Sequence, residues 1–196
     1  MEAITTYGFR GEALSSLSYV SILKITSKPK EQDTAYEAWY KMGKIVGAEG
    51  NEKAEAVPRR CEGENGTTIC AKEMFYSVPD RKRVFNTTSE YFKVLSVIRK
   101  YSMHLPNIQF VCKKIGNRIA DYISGIKTRQ EIIEGLYGKK AVKNLLEVSF
   151  KKPDIFLTKV YGLISKPTEP TNKVITVIFI NGTSLSSNKN REIGEE

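Results

Sequence analysis

Residues 7–17 read YGFRGEALSSL, and the fold turns on how this stretch is understood. Gly8 and Gly11 bracket Phe9-Arg10, and the alanine- and leucine-rich run that follows has the composition of a helix start. Glycine reaches backbone angles that other residues resist, and a glycine turn opening a helix leaves the first-turn N–H groups without intrahelical acceptors. Such a terminus suits an anion, phosphate above all. The same pattern also fits an ordinary loop-to-helix junction, and Arg10 could pair with a carboxylate as readily as with a phosphate. Neither a lysine-ending phosphate loop nor a dinucleotide fingerprint occurs in the chain.

The 196 residues suffice for one large domain or two small ones with a real core. Hydrophobic residues at 40% and charged residues at 27% are ordinary for a soluble globular protein. No stretch approaches the roughly 18 to 20 apolar residues of a membrane span, and Met1-Glu2-Ala3-Ile4 is not the basic start of a signal peptide. Cys61, Cys70 and Cys112 are widely spaced and give neither a disulfide framework nor zinc-ligand spacing, so a reducing, intracellular setting is expected. Charge is the outlier. Lys and Arg number 31 against 22 Asp and Glu, for a net charge of +9 and a pI of about 9.4. That balance favours a polyanionic partner, nucleic acid first, although many basic proteins are merely soluble. The basic residues come as pairs (Arg59-Arg60, Lys113-Lys114, Lys139-Lys140, Lys151-Lys152) with one tight cluster, Arg81-Lys82-Arg83. This suits a groove lined from several loops better than a single recognition helix.

Outward from the opening helix, SILKITSK (residues 21–28) alternates apolar and polar side chains and predicts a strand. TAYEAWYKMGKIV (34–46) predicts a hairpin turning at Met42-Gly43-Lys44. Residues 47–66 are polar and glycine-rich, a surface loop, after which GTTICAKEMF (66–75) resumes as a strand. TTSEYFKVLSVIRKYSMHLP (87–106) predicts a helix with a Thr87/Glu90 capping box, an apolar stripe of Tyr91, Val94, Leu95, Ile98 and Tyr101, and a stop at Pro106. IQFVCKKIGNRIADYI (108–123) predicts a hairpin turning at Gly116-Asn117. A second helix should start near Thr128, boxed by Glu131, and end at Gly138. Strands follow at NLLEVSF, FLTKVYGLIS and KVITVIFING, and the last, β-branched from Val174 to Ile180, is expected to be buried on both faces. Ser124-Gly125 interrupts the pattern and marks a boundary between residues 1–123 and 124–196. No catalytic constellation is visible: His104, the single histidine, reads as a helix-terminal or surface residue, and the cysteines as small buried hydrophobes.

TYGFRGEALSSL (6–17), followed by GTTICAKEMFYSVPDRKRVF (66–85), resembles the MutL family of DNA mismatch-repair ATPases, members of the GHKL superfamily of gyrase, heat-shock chaperone ATPase, histidine kinases and MutL. EYFKVLSVIRKYSMHLPNIQFVCKK (90–114) and VIFING (177–182) stand in the order and spacing of that family, and the likeness is greatest to its eukaryotic branch that supplies the common subunit of MutL heterodimers. The resemblance implies an α+β fold: the C-terminal part of a GHKL (Bergerat-type) ATPase sandwich over residues 1–123, then the start of a β-α-β transducer domain over 124–196. Gly8, Phe9, Arg10, Gly11, Glu12, Ala13 and Leu14 match the end of the ATP lid and the helix behind it, where backbone N–H groups from Arg10 to Leu14 would contact nucleotide phosphates. Gly66, Thr67 and Thr68 match the motif whose threonine reaches toward adenine from a central strand. Arg81, Lys82 and Arg83, with Lys189 and Arg191, are the candidates for DNA contact.

The resemblance implies ATP and magnesium as cofactors of the complete protein. It implies as partners DNA, a second MutL homologue and a MutS-type mismatch sensor, with no membrane, in the nucleus. The family's general-base glutamate, its magnesium-binding asparagine four residues on and its Asp-x-Gly-x-Gly adenine turn all precede the lid, and no Glu-x-x-x-Asn or Asp-x-Gly-x-Gly occurs here. Thr183 stands where the family often has arginine. The expectation is that this fragment by itself neither hydrolyses ATP usefully nor holds nucleotide tightly, since a general base alone contributes about 100- to 10,000-fold. Self-association through surfaces exposed by truncation is a further expectation. The alternative reading is a catalytically inert DNA-binding or scaffold module, and a more distant one a type II topoisomerase subunit.

Overall fold

The computed structural model describes residues 11–151, 159–166 and 175–185. Packing divides the chain into two compact units, Met1–Asn86 and Thr87–Glu196. This division of contacts lies upstream of residue 124; compactness and domain ancestry are different quantities, and the one does not decide the other.

The first unit is a five-stranded antiparallel sheet with a helix on it. Helix α1 (Glu12–Val20) ends at Ser21, which adopts extended backbone and donates its Oγ hydrogen to the Leu17 carbonyl at 2.7 Å. Strand β1 (Ile22–Lys28) starts there and runs between β2 (Ala35–Lys41) and β5 (Gly66–Lys72). On its outer side β2 carries β3 (Lys44–Val46) along its second half and β4 (Arg59–Cys61) along its first. The β2–β3 turn has positive φ at both Met42 (51°) and Gly43 (73°), the conformation whose twist suits a two-residue hairpin. Leu23, Ala35, Trp39 and Val46 are buried in this unit. Two cations approach Trp39, the ammoniums of Lys24 and Lys72 each 5.3 Å from its ring centroid. A short 3-10 turn (Ala48–Gly50) places Gly50 against the Ile22 side chain, and Gly63 lies against Ala35. Helix α2 (Pro79–Val84) opens on Pro79, whose missing N–H costs nothing at a first helical position.

The second unit is built on helix α3 (Thr87–His104). The hairpin β6 (Val111–Cys112) and β7 (Tyr122–Ile123) is fixed to it by hydrogen bonds from Tyr91 Oη to Asp121 Oδ2 at 2.6 Å and between Ser102 Oγ and Tyr122 Oη at 2.6 Å. Helix α4 (Arg129–Tyr137) has the expected box: Glu131 N–H donates to Thr128 Oγ1 at 3.2 Å, and Thr128 N–H to Glu131 Oε2 at 2.7 Å. Arg129 caps the far end of α3, its Nε donating to the Met103 carbonyl at 2.9 Å and its Nη2 to that of His104 at 3.4 Å. Leu95, Met103, Cys112 and Ile132 are buried. Helix α5 (Lys139–Lys143) leads to β8 (Leu145–Phe150), which pairs along its whole length with β9 (Val160–Ser165). Strands β10 (Phe179–Ile180) and β11 (Thr183–Ser184) form a small hairpin whose Phe179 stacks on His104, ring centroids 4.1 Å apart.

Several local expectations are corrected. The polar loop of residues 47–66 contains β4, because Arg59–Cys61 finds unpaired backbone along the first half of β2. Strand β5 stops at Lys72 rather than residue 75, since Glu73 (φ 52°) and Phe75 (φ 62°) turn the chain out of extended geometry. Thr87 is the first helical residue of α3, which shifts the cap position to Asn86, and the Glu90 carboxylate is held by Lys93 at 2.6 Å. Within the α3 stripe Val94 is exposed, while Leu95 is buried. The β-branched run before Gly182 is not buried on both faces over its described part: Ile175 and Ile180 are exposed, because only Phe179–Ile180 finds a ladder partner.

Candidate functional site

Gly11 precedes α1 in the left-handed region (φ 70°, ψ 4°), and among the described residues no side chain caps the helix. The Gly11 carbonyl accepts the Ser15 N–H at 3.0 Å and closes the first turn, so the amides of Glu12, Ala13 and Leu14 are left without intrahelical acceptors. All four residues from Gly11 to Leu14 are exposed, and a Cβ on Gly11 would meet nothing within 4 Å. Among the described residues nothing covers this terminus, which carries the positive end of the helix dipole. The helix is held in place from the β2–β3 turn: Met42 N–H donates to the Ser18 carbonyl at 2.9 Å and Gly43 N–H to Ser18 Oγ at 3.2 Å. Between α1 and the sheet lies a cleft of about 200 Å³ lined by Leu14, Ser15, Ser18, Leu23, Ile25, Tyr40 and Gly43.

Which β5 threonine shares that side follows from register. Side chains alternate between sheet faces, and residues paired across antiparallel strands share a face. Leu23 and Ile25 line the cleft, and Ser27, two residues further along β1, is on their face. Thr67 pairs with Ser27, with the two hydroxyl oxygens 3.0 Å apart, and so lies on the α1 side. Thr68 pairs with Thr26 and lies on the opposite face, as do Lys24 and Cys70. Gly66, opposite Lys28, is exposed with open space around it. Thus Gly11, Glu12, Ala13, Leu14 and Thr67 belong to one side of the first unit and Thr68 to the other. Gly8, Phe9, Arg10, Lys189 and Arg191 lie outside the described residues.

The basic cluster is partly neutralised by its neighbours. Lys82 Nζ is 3.2 Å from Glu73 Oε2, and Arg83 Nη2 is 3.0 Å from Asp80 Oδ1. Arg81 lies over the Phe75 ring, 5.1 Å from its centroid. In the second unit, hydrogen bonds from Tyr91 and from the Lys114 N–H hold the Asp121 carboxyl below its ordinary range, and burial, then the Arg129 charge, lowers the His104 imidazole. Among the described residues no three His, Cys, Asp or Glu side chains gather in a way that could hold a metal ion. No described helix is long and apolar enough to cross a membrane.

The described site is therefore a set of exposed backbone amides at a helix start and a hydroxyl on the same side of the neighbouring sheet. An α+β fold of this arrangement is that of MutL ATPase domains. The chain matches the Aquifex aeolicus MutL ATPase domain complexed with ADP at a TM-score of 0.66 and 22% identity, covering 93% of this chain and 66% of that one. In sequence it is 37% identical over 224 residues to the DNA mismatch repair protein Mlh1 of Dictyostelium discoideum, covering 100% of this chain and 25% of that protein. To the DNA mismatch repair protein MLH1 of Saccharomyces cerevisiae it is 33% identical over 184 residues, covering 91% of this chain and 22% of that protein. No family model matches the chain. The chain belongs to the MutL family of DNA mismatch repair proteins, and it spans about a quarter of the length of the curated relatives it matches.

Proposed function

We propose that this chain supplies the lid end and the adenine-side strand of a MutL-type ATPase, in a protein that binds ATP with magnesium and couples mismatch recognition to strand incision on DNA. Residues to about 123 would belong to the ATPase domain and those from 124 to the transducer. Gly8 to Leu14 would receive the nucleotide phosphates on backbone N–H groups, Thr67 would approach the adenine side, and Gly66 would keep the strand's start clear. Arg81, with Lys82 and Arg83, and Lys189 with Arg191, would meet DNA phosphates. A second MutL homologue and a MutS-type mismatch sensor would be partners of the whole protein, in the nucleus.

The observation that carries this reading is the uncapped start of α1 behind a left-handed Gly11, on the same side of the sheet as Thr67. Three amides without intrahelical acceptors, with the dipole end, make a phosphate receptor that needs no side chain. The test is a titration of the isotopically labelled chain with ADP and magnesium, followed by amide chemical shifts. Shifts gathered at Gly11 to Leu14 and at Thr67 are expected. If those amides stay still at millimolar nucleotide while duplex DNA still binds, the chain is a DNA-binding or scaffold module without a nucleotide site.

A further inference from the structure

The tip of the β6–β7 hairpin, residues 113–119, reads KKIGNRI and is exposed throughout. It closes with Asn117 N–H donating to the Lys114 carbonyl at 3.2 Å. Ile115 is fully exposed and Ile119 81% exposed. One exposed isoleucine needs no explanation, but two at a single tip, set among Lys113, Lys114 and Arg118 with no carboxylate from 113 to 120, make a mixed apolar and cationic contact surface. The adjacent carboxylate, Asp121, is already engaged by the Tyr91 hydroxyl at 2.6 Å and the Lys114 N–H at 3.2 Å. The Lys114 ammonium sits 4.6 Å from the Tyr91 ring centroid, whereas Lys113 and Arg118 have no partner among the described residues. The base is rigid by contrast. Asp121 N–H donates to the Cys112 carbonyl at 2.8 Å, Ser124 N–H to that of Phe110 at 2.9 Å, and Phe110 N–H to the buried Ser124 Oγ at 2.9 Å.

We propose that this hairpin tip is a duplex-DNA contact, with Lys113 and Arg118 on backbone phosphates and Ile115 as an apolar wedge at a base step in the minor groove. It rests on the reading that the chain binds DNA, and adds an element to it. Cations flanking an apolar wedge on an anchored protrusion are the chemistry of minor-groove contact, in which phosphates give affinity and the wedge gives fit. An anionic lipid surface would accept the same side chains; the excess of basic residues along the whole chain and its mismatch-repair family favour DNA.

The test is fluorescence anisotropy of a labelled duplex with the whole chain, in 50 to 200 mM salt, for wild type, the double variant Lys113→Gln/Arg118→Gln, and Ile115→Ser. The double variant should lower the slope of log affinity against log salt by roughly 2, about 0.9 per phosphate contact, and weaken binding on the order of tenfold at low salt. Ile115→Ser should keep the wild-type slope and weaken binding several-fold. All three side chains are exposed, so folding should be unchanged; amide shifts of residues 113–119 on adding duplex to wild type give an independent reading. Wild-type slope and affinity in both variants, with those amides still, would overturn the tip contact and leave DNA binding elsewhere intact. No binding by the wild type at low salt would remove the DNA reading itself. Ile115-dependent binding to phosphatidylserine vesicles without any effect on duplex affinity would assign the tip to a lipid surface and overturn the proposal.

Discussion

Gly11 and Gly43 have nearly the same backbone, φ 70° and 73°, but very different surroundings. A Cβ at Gly11 would enter open space, while one at Gly43 would lie 2.6 Å from Tyr19 Oη and 2.7 Å from Tyr19 Cζ. Gly11→Ala therefore carries only the left-handed penalty of a Cβ, about 1 kcal/mol. Gly43→Ala adds displacement of the Tyr19 ring and should cost about 2 kcal/mol in all. Urea unfolding should show both midpoints lowered with unchanged slopes, Gly43→Ala the more; equal shifts would mean that Tyr19 swings aside freely, as a half-exposed ring can. Thr67 and Thr68 make the same point about resolution at this scale. Both are legible in GTT as strand residues, and the resemblance alone sets the pair beside a nucleotide; a one-residue step reverses the face, and only the pairing of Thr67 with Ser27 decides which looks toward α1.

Among the elements, α3 and α4 are joined at their ends by Arg129, whose guanidinium bonds the last carbonyls of α3 and also faces His104. Arg129→Gln should cost about 1 to 2 kcal/mol through two lost charge-assisted bonds to carbonyls, read as a lower unfolding midpoint. It should also raise the His104 titration in an NMR pH series, though not to the ordinary value, because burial is the larger cause. The sign of the pH effect follows from the lowered imidazole. Above the ordinary value of 6.5 the residue is neutral in both folded and unfolded chains and stability is full. Below it the unfolded chain takes up the proton first, so stability falls as pH drops from 6.5 toward the folded value. His104→Gln should flatten that fall. Elements specified by neighbours in sequence were the readable ones: the Thr128-x-x-Glu131 box forms as its spacing requires, and the Met42-Gly43 turn as its glycine allows. Strand β4 was not readable, because nothing in Arg59–Cys61 is apolar in alternation and its pairing is supplied by β2, over twenty residues away. The run before Gly182 failed for the opposite reason, a local β preference without a ladder to join along most of its described length.

At the scale of the whole molecule, the decisive quantities are what the 196 residues contain and how their charge is spread. They carry a helix start whose first amides lack intrahelical acceptors, but no Glu-x-x-x-Asn and no Asp-x-Gly-x-Gly. Calorimetric titration of this chain with a non-hydrolysable ATP analogue and magnesium should therefore show no micromolar site, and micromolar affinity would disprove the expectation that phosphate positioning alone is weak. DNA makes different demands, since its affinity comes from many shallow contacts rather than one deep one. The chain's net charge is +9, and its basic residues gather on strand β4, helices α2 and α5 and the β6–β7 tip, with Lys82 and Arg83 already paired to carboxylates. A surface of that kind engages phosphates singly and loses them as salt competes. If about five phosphates are held, raising salt from 50 to 200 mM should weaken duplex binding about 500-fold, because each contact contributes about 0.9 to the logarithmic slope. Anisotropy across that range reads the slope directly. A flat profile would mean that binding, if present, is carried by apolar or specific base contacts, and that the excess of lysine and arginine serves solubility alone.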